Sequence, residues 1–198
     1  MTPIEKGNTH GPDPLYSAAL CPLLPEASLD AIVVGVARAA AVDGPAFAEF
    51  LQQQKLTPLW DRMLELNPVP AGLLTRDVRD SLSRARVSAT EAYVVQQQGL
   101  RLSRDILDAA GIAHVVYRGA DARERYYAEP SLRPVNRIRL LVSDSSKVEA
   151  IKAFGQWGFE LQAARHSVSH RASLSRSKVS IGLQWDLMRP GHTRLPMT

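Results

Sequence analysis

SLRPVNRIRLLVSD, residues 131–144, runs from an Arg-Pro turn into a strand and carries arginines at 137 and 139, where a half-buried strand ordinarily holds apolar or small polar residues. With a side-chain repeat of two, Ile138, Leu140 and Val142 share one face while Arg137, Arg139 and Leu141 share the other, the two arginine Cα atoms about 7 Å apart. One face suits a core. The other presents two permanent cations.

The neighbouring residues extend this strand into a sheet. IAHVVY (112–117) is a β-rich run ending at Arg118-Gly119, and ADARERYYAEP is a short helix stopped by Pro130. Residues 146–158 predict a helix with an apolar stripe on Val148, Ile151, Phe154 and Trp157, closed by Gly158. FELQ, part of HSVSHRASL, and KVSIGLQWDL read as further strands; the last places Val179, Ile181, Leu183 and Trp185 inward and Gly182, Gln184 and Asp186 on the arginine side. Before Gly111 the texture is helical. Ser28 caps a helix reaching about Val42, Gly44-Pro45 breaks it before a helix over 46–55, and a third begins near Pro58. The NPVPAG stretch (67–72) is a turn, and a long helix over 74–110 ends at Gly111, a left-handed cap. The expected class is α+β: a flexible tail over 1–15, a helical subdomain over 16–110, and a small mixed-sheet core over 111–198.

The 198 residues suffice for a substantial core, and 45% hydrophobic with 22% charged is ordinary globular composition. A lone cysteine, Cys21, excludes an internal disulfide and any multi-cysteine metal site, and in its apolar surroundings it reads as packing. No run of about 18 apolar residues is present, so the expected location is cytoplasmic, without a membrane partner. The net charge of +4 permits anionic partners. No acidic residue occurs between Leu161 and Trp185, where Arg165, Arg171, Arg176 and Lys178 accompany His166 and His170; these histidines read as surface residues, without a third metal ligand. Trp60, Trp157 and Trp185 read as core.

The segment AGIAHVVYRGADARERYYAEPSLRPVNRIRLLV, with a following helix that ends in WGF and the strand VSIGLQWDL, resembles the uncharacterised nucleotidyltransferase family of the polymerase-β-like superfamily. Members of that family carry a strand ending in Lys-Gly, a Tyr-containing helix, an Arg-Pro turn, an Asp-x-Asp strand, a helix ending in Gly-aromatic, and a strand bearing Glu-x-His-Trp. The likeness spans roughly Phe47 to Leu187 and includes FLQQQKLTPLWDRML. It places the two strand aspartates on Arg137 and Arg139, the third carboxylate on Gly182 and the histidine on Gln184. Arg118 takes the place of the lysine before Gly119. Because members continue with further helices, it also implies a core shortened at its C-terminus.

Nucleotidyl transfer in this superfamily uses two Mg²⁺ ions held by carboxylate oxygens. A guanidinium has no acceptor and repels cations. The resemblance therefore implies a catalytically inactive member, a pseudoenzyme needing no cofactor. Its cationic cleft of Arg118, Gly119, Arg133, Arg137, Arg139 and Gln184 suits a phosphate-bearing small molecule, an acidic peptide or a partner protein, in a regulatory or accessory role such as a biosynthetic gene cluster provides. Glu124 or Glu129, paired with the arginines, would equally supply the anion that half-buried guanidiniums require, and Asp121 is a further candidate. Two other readings stay open: an active Mg-dependent nucleotidyltransferase that moves a nucleoside monophosphate from a triphosphate with displaced carboxylates such as Asp186 and Glu129, and a nucleic-acid-binding module on the basic 165–178 segment.

Overall fold

The computed structural model describes residues 14–24, 26–41, 44–162 and 171–186. Helices α1 (Pro14–Leu20), α2 (Leu29–Ala40), α3 (Gly44–Gln53), α4 (Thr57–Leu66), α5 (Pro68–Ala71) and the long α6 (Arg76–Ala109) come first. The Ser28 Oγ accepts the Ala31 backbone N–H at 3.2 Å and so opens α2. NPVPAG, expected as a plain turn, instead winds one helical turn as α5. Proline is tolerated there because first-turn N–H groups have no intrahelical acceptor. The positive φ of Gly111, 66°, lets the chain leave α6 in the left-handed conformation.

Two compact units divide inside α6, at Ser88 and Ala89, so the C-terminal half of that helix belongs with the sheet. In the first unit Phe47, Leu51, Trp60 and Leu82 are fully buried. Phe47 meets the Trp60 ring edge-on at 5.0 Å, and the Trp60 indole donates to the Ala19 carbonyl at 2.8 Å, satisfying its one polar atom. Arg86 of α6 reaches Asp61 at 2.7 Å and Glu65 at 2.9 Å on α4. Burial holds the Asp61 carboxyl above its ordinary range against the pull of Arg86, while hydrogen bonds from Arg86 and Arg62 hold Glu65 below its own.

The second unit is a five-stranded mixed sheet in the order β1-β2-β5-β4-β3, with β1 His114–Val116, β2 Ile138–Val142, β3 Glu160–Gln162, β4 Arg171–Arg176 and β5 Val179–Gln184. β2 and β5 run parallel, and the other pairs are antiparallel. Helix α7 (Gly119–Tyr126) follows β1, and α8 (Lys147–Gln156) follows β2. One sheet face, with Ile138, Leu140, Ala172, Leu174, Ile181 and Leu183, packs with Leu100, Ile106 and Leu107 of α6 and Ala150 and Phe154 of α8. The resulting class is α+β, a helical part and a small mixed sheet.

The α8 stripe differs from expectation. Ala150, Ala153 and Phe154 are its buried residues, whereas Val148 is 56% and Trp157 50% exposed. A strict spacing of three drifts about 60° per step around a 3.6-residue helix, so its two ends leave the buried face. Trp157 is therefore not core; Trp60 is, and Trp185 packs partly buried on the sheet cluster. His166 and His170 lie outside the described residues. Among those residues no single helix is long and apolar enough to cross a membrane.

Gly99 brings α6 down on the sheet. A Cβ there would stand 2.6 and 2.9 Å from the two Val179 methyl carbons and 3.3 Å from Ile138 Cδ1. Gly99→Val is expected to cost about 2 kcal/mol by overpacking, with part recovered by Val179→Ala, read as a lower urea midpoint at unchanged slope.

Candidate functional site

Burial alternates along β2: Ile138, Leu140 and Val142 are buried, while Arg139 and Leu141, with Arg137 just ahead of the strand, are half-buried on the other face. The parallel register then decides who meets whom. Arg139 lies opposite Gly182, Leu141 opposite Gln184, and across β5 the antiparallel register sets Ser173 of β4 beside Gly182. The polar face thus carries Arg139, Gly182 and Ser173 in one row.

Arg137 lies across that row. Its Cδ sits 3.0 Å from the point where a Cβ on Gly182 would be, and its Nη1 donates to Ser173 Oγ at 3.1 Å. The stem of this arginine occupies the space that a side chain at 182 would need. Arg139 contributes its carbonyl to Tyr117 N–H, 3.2 Å away, which ties the end of β1 to the same row.

Tyr117, which the residue pattern did not single out, joins both sides of the site. Its hydroxyl donates to Gln184 Oε1, and the Gln184 amide donates to the Asp186 carbonyl. Arg118 stacks over the Tyr117 ring at 5.6 Å and takes φ 61° and ψ −129°, a region that L side chains avoid. Gly119 begins α7, with a Cβ at that position 3.2 Å from a Val135 methyl carbon.

Two side-chain networks differ from the expected pairing. Glu124 is engaged by Arg123 at 3.1 Å, Gln97 at 2.5 Å and Tyr93 at 3.3 Å, because its turn of α7 faces α6 and not the sheet. Asp121 pairs with Arg125 one turn on, at 2.7 Å. Among the described residues, none of Arg118, Arg137 and Arg139 forms an ion pair, with Glu124, Glu129 or any other carboxylate. Arg133 is exposed and donates to the Tyr127 hydroxyl at 2.9 Å while stacking on that ring. Arg171, Arg176 and Lys178 are exposed on β4 and the turn after it. Asp186 is half-buried two residues past β5.

Arg123 also escaped the sequence reading. It is 1% exposed, with Nη1 on Gln96 Oε1 at 2.6 Å and the guanidinium 4.7 Å from the Tyr93 ring centre. Gln96 in turn donates to the Val135 carbonyl. Tyr93 and Gln96 of α6 thereby fix α7 and the residues that lead into β2. The only advance signal was the three-residue spacing of Tyr93 and Gln96, which a helix brings to one face.

An arginine in the 61°, −129° region carries about 1–3 kcal/mol of backbone strain, which glycine would not. Arg118→Gly is therefore expected to stabilise the fold by about 1 kcal/mol after the glycine's larger unfolded-state entropy is deducted, measured by urea unfolding.

No curated protein matches the chain. Residues 40–197, most of the sequence, match the uncharacterised nucleotidyltransferases, with the strand arginines and Gly182 inside the matched span. The chain belongs to the uncharacterised nucleotidyltransferase family.

Proposed function

We propose that this chain is a catalytically inactive member of its family that uses the polar face of its sheet to bind an anionic group, in a regulatory or accessory role. The observation that carries the reading is the set of three arginines, 118, 137 and 139, of which none pairs with a carboxylate among the described residues. Two of them are half-buried beside Gly182. A guanidinium drawn out of water loses hydration that an anion must replace, and its fork of N–H donors fits a phosphate or carboxylate.

Catalysis by the two-metal route needs several oxygen ligands around the reacting phosphate. Among the described residues no three His, Cys, Asp or Glu side chains gather as such a set. The side chains at the expected ligand positions are two guanidiniums and a hydrogen atom. The binding residues are Arg139 and Arg118 as cations, Gly119 at the start of α7, and Gln184 and Tyr117 as the polar rim. The ligand class is a phosphate-bearing small molecule, or a carboxylate of an acidic peptide or partner protein.

Two measurements test this reading together. Incubation with labelled ATP, CTP, GTP and UTP, Mg²⁺ and a panel of acceptors is expected to give no transfer; transfer that Asp186→Ala abolishes would establish the active alternative. Pyrophosphate is expected to bind the protein in calorimetry, and Arg139→Gln to weaken it about tenfold, the size of one charge-assisted hydrogen bond lost. Undiminished binding by that variant would move the site elsewhere, and a steep salt dependence with duplex or single-stranded nucleic acid would favour the third reading.

A further inference from the structure

Arg137 and Gly182 are complementary in volume as well as in chemistry. The Arg137 stem lies 3.0 Å from the missing Cβ, and its guanidinium is anchored on Ser173 Oγ. Even a Cβ at 182 would press on that arrangement, so that the Arg137 stem must give by a few tenths of an ångström. Arg139, directly opposite Gly182, and Arg118, over Tyr117, have no such anchor on an acceptor side chain among the described residues. The three arginines therefore divide the work: Arg137 fills and closes the place from which a carboxylate would project, and Arg139 and Arg118 remain to meet a ligand.

This assignment rests on the anion-binding reading above and adds what form of the anion is taken. We infer that the arginines replace a divalent cation, so that the site takes a phosphate or polyphosphate free of metal and divalent cations oppose binding. Two guanidiniums supply two positive charges, as many as one Mg²⁺, but as permanent donors with no coordination position to share. A metal chelate brings its own two charges to the ligand. It neutralises the oxygens that the guanidinium forks would use, and it carries a cation towards Arg137 and Arg139, neither of which has a carboxylate within ion-pair distance among the described residues. A free diphosphate meets the opposite situation, with every oxygen available for a charge-assisted hydrogen bond.

Isothermal titration with pyrophosphate, which chelates Mg²⁺, and with phenyl phosphate, which chelates it weakly, tests the inference at matched ionic strength in EDTA and in millimolar MgCl₂. Pyrophosphate is expected to bind about tenfold more weakly in MgCl₂, while phenyl phosphate changes by no more than about twofold. Equal or tighter pyrophosphate binding in MgCl₂ overturns the inference while leaving the anion-binding reading intact. An equal loss for both anions also overturns it, because a general ionic effect then explains the result. Binding of neither anion in either buffer overturns the underlying reading itself. Gly182→Asp should displace Arg137 and can fail to fold, so Arg137→Ser serves as the second variant. Opening the space over Gly182 while leaving Arg139 and Arg118 in place, it is expected to keep both the pyrophosphate affinity, within about twofold, and the sense of the Mg²⁺ effect; a loss of about tenfold in pyrophosphate binding would overturn the division of work between Arg137 and the other two arginines.

Discussion

The parallel pairing of β2 with β5 is the constraint on which the site depends. It is a non-local contact, joining residues about forty apart in the chain, and its register sets Arg139 against Gly182 and Leu141 against Gln184. A slip of one residue would turn Ile138 and Leu140 out of the core and bring the arginines in, which their charge forbids. The buried row and the cationic row thus hold each other in place. Apolar burial under the sheet selects the register, and the register gathers the arginines above it.

The α6–α7 network supports this arrangement from the other end. Arg123 is an expensive residue to bury, and its Nη2 lacks a hydrogen-bond partner among the described residues. What the burial supplies is a fixed attachment: Arg123 to Gln96, Gln96 to the Val135 carbonyl, and Val135 against Gly119. Val135 stands two residues before Arg137. The entry to the cationic strand and the Arg118-Gly119 turn are consequently tied to one helix, which fixes the backbone from which Arg118 and Arg137 project.

Much of this was legible in the residues, for identifiable reasons. Period-two alternation in RIRLLV and VSIGLQ needs only backbone geometry, and it named the faces of both strands. Glycine after a helix and serine before one carry local signals, and Gly111 and Ser28 behaved accordingly. The family resemblance reached the same strands by another route. What stayed hidden was tertiary. Glu124 could be placed near the arginines only by sequence proximity, whereas its turn of α7 faces Tyr93 and Gln97. Tyr117 became part of the site through a partner 67 residues away, for which no short-range pattern exists. The α8 stripe failed because a spacing of three drifts around the helix, so that Val148 and Trp157 left the face that buries Ala150, Ala153 and Phe154.

The coupling of charge to volume at 137 and 182 also limits which pairs of residues the two positions can hold. An arginine at 137 beside a carboxylate at 182 would be drawn into an ion pair, and a glycine at 182 beside an aspartate at 137 would leave a gap. With arginine at 137 and glycine at 182, the stem of Arg137 lies over Gly182 and finds Ser173 as an acceptor. Ser173 can serve in this way because β4 alternates buried Ala172 and Leu174 with hydroxyl-bearing Ser173 and Ser175 on the polar face. Arg137, Arg139, Gly182 and Ser173 all lie on the face that the core does not use, which separates the energetics of folding from the chemistry presented above it.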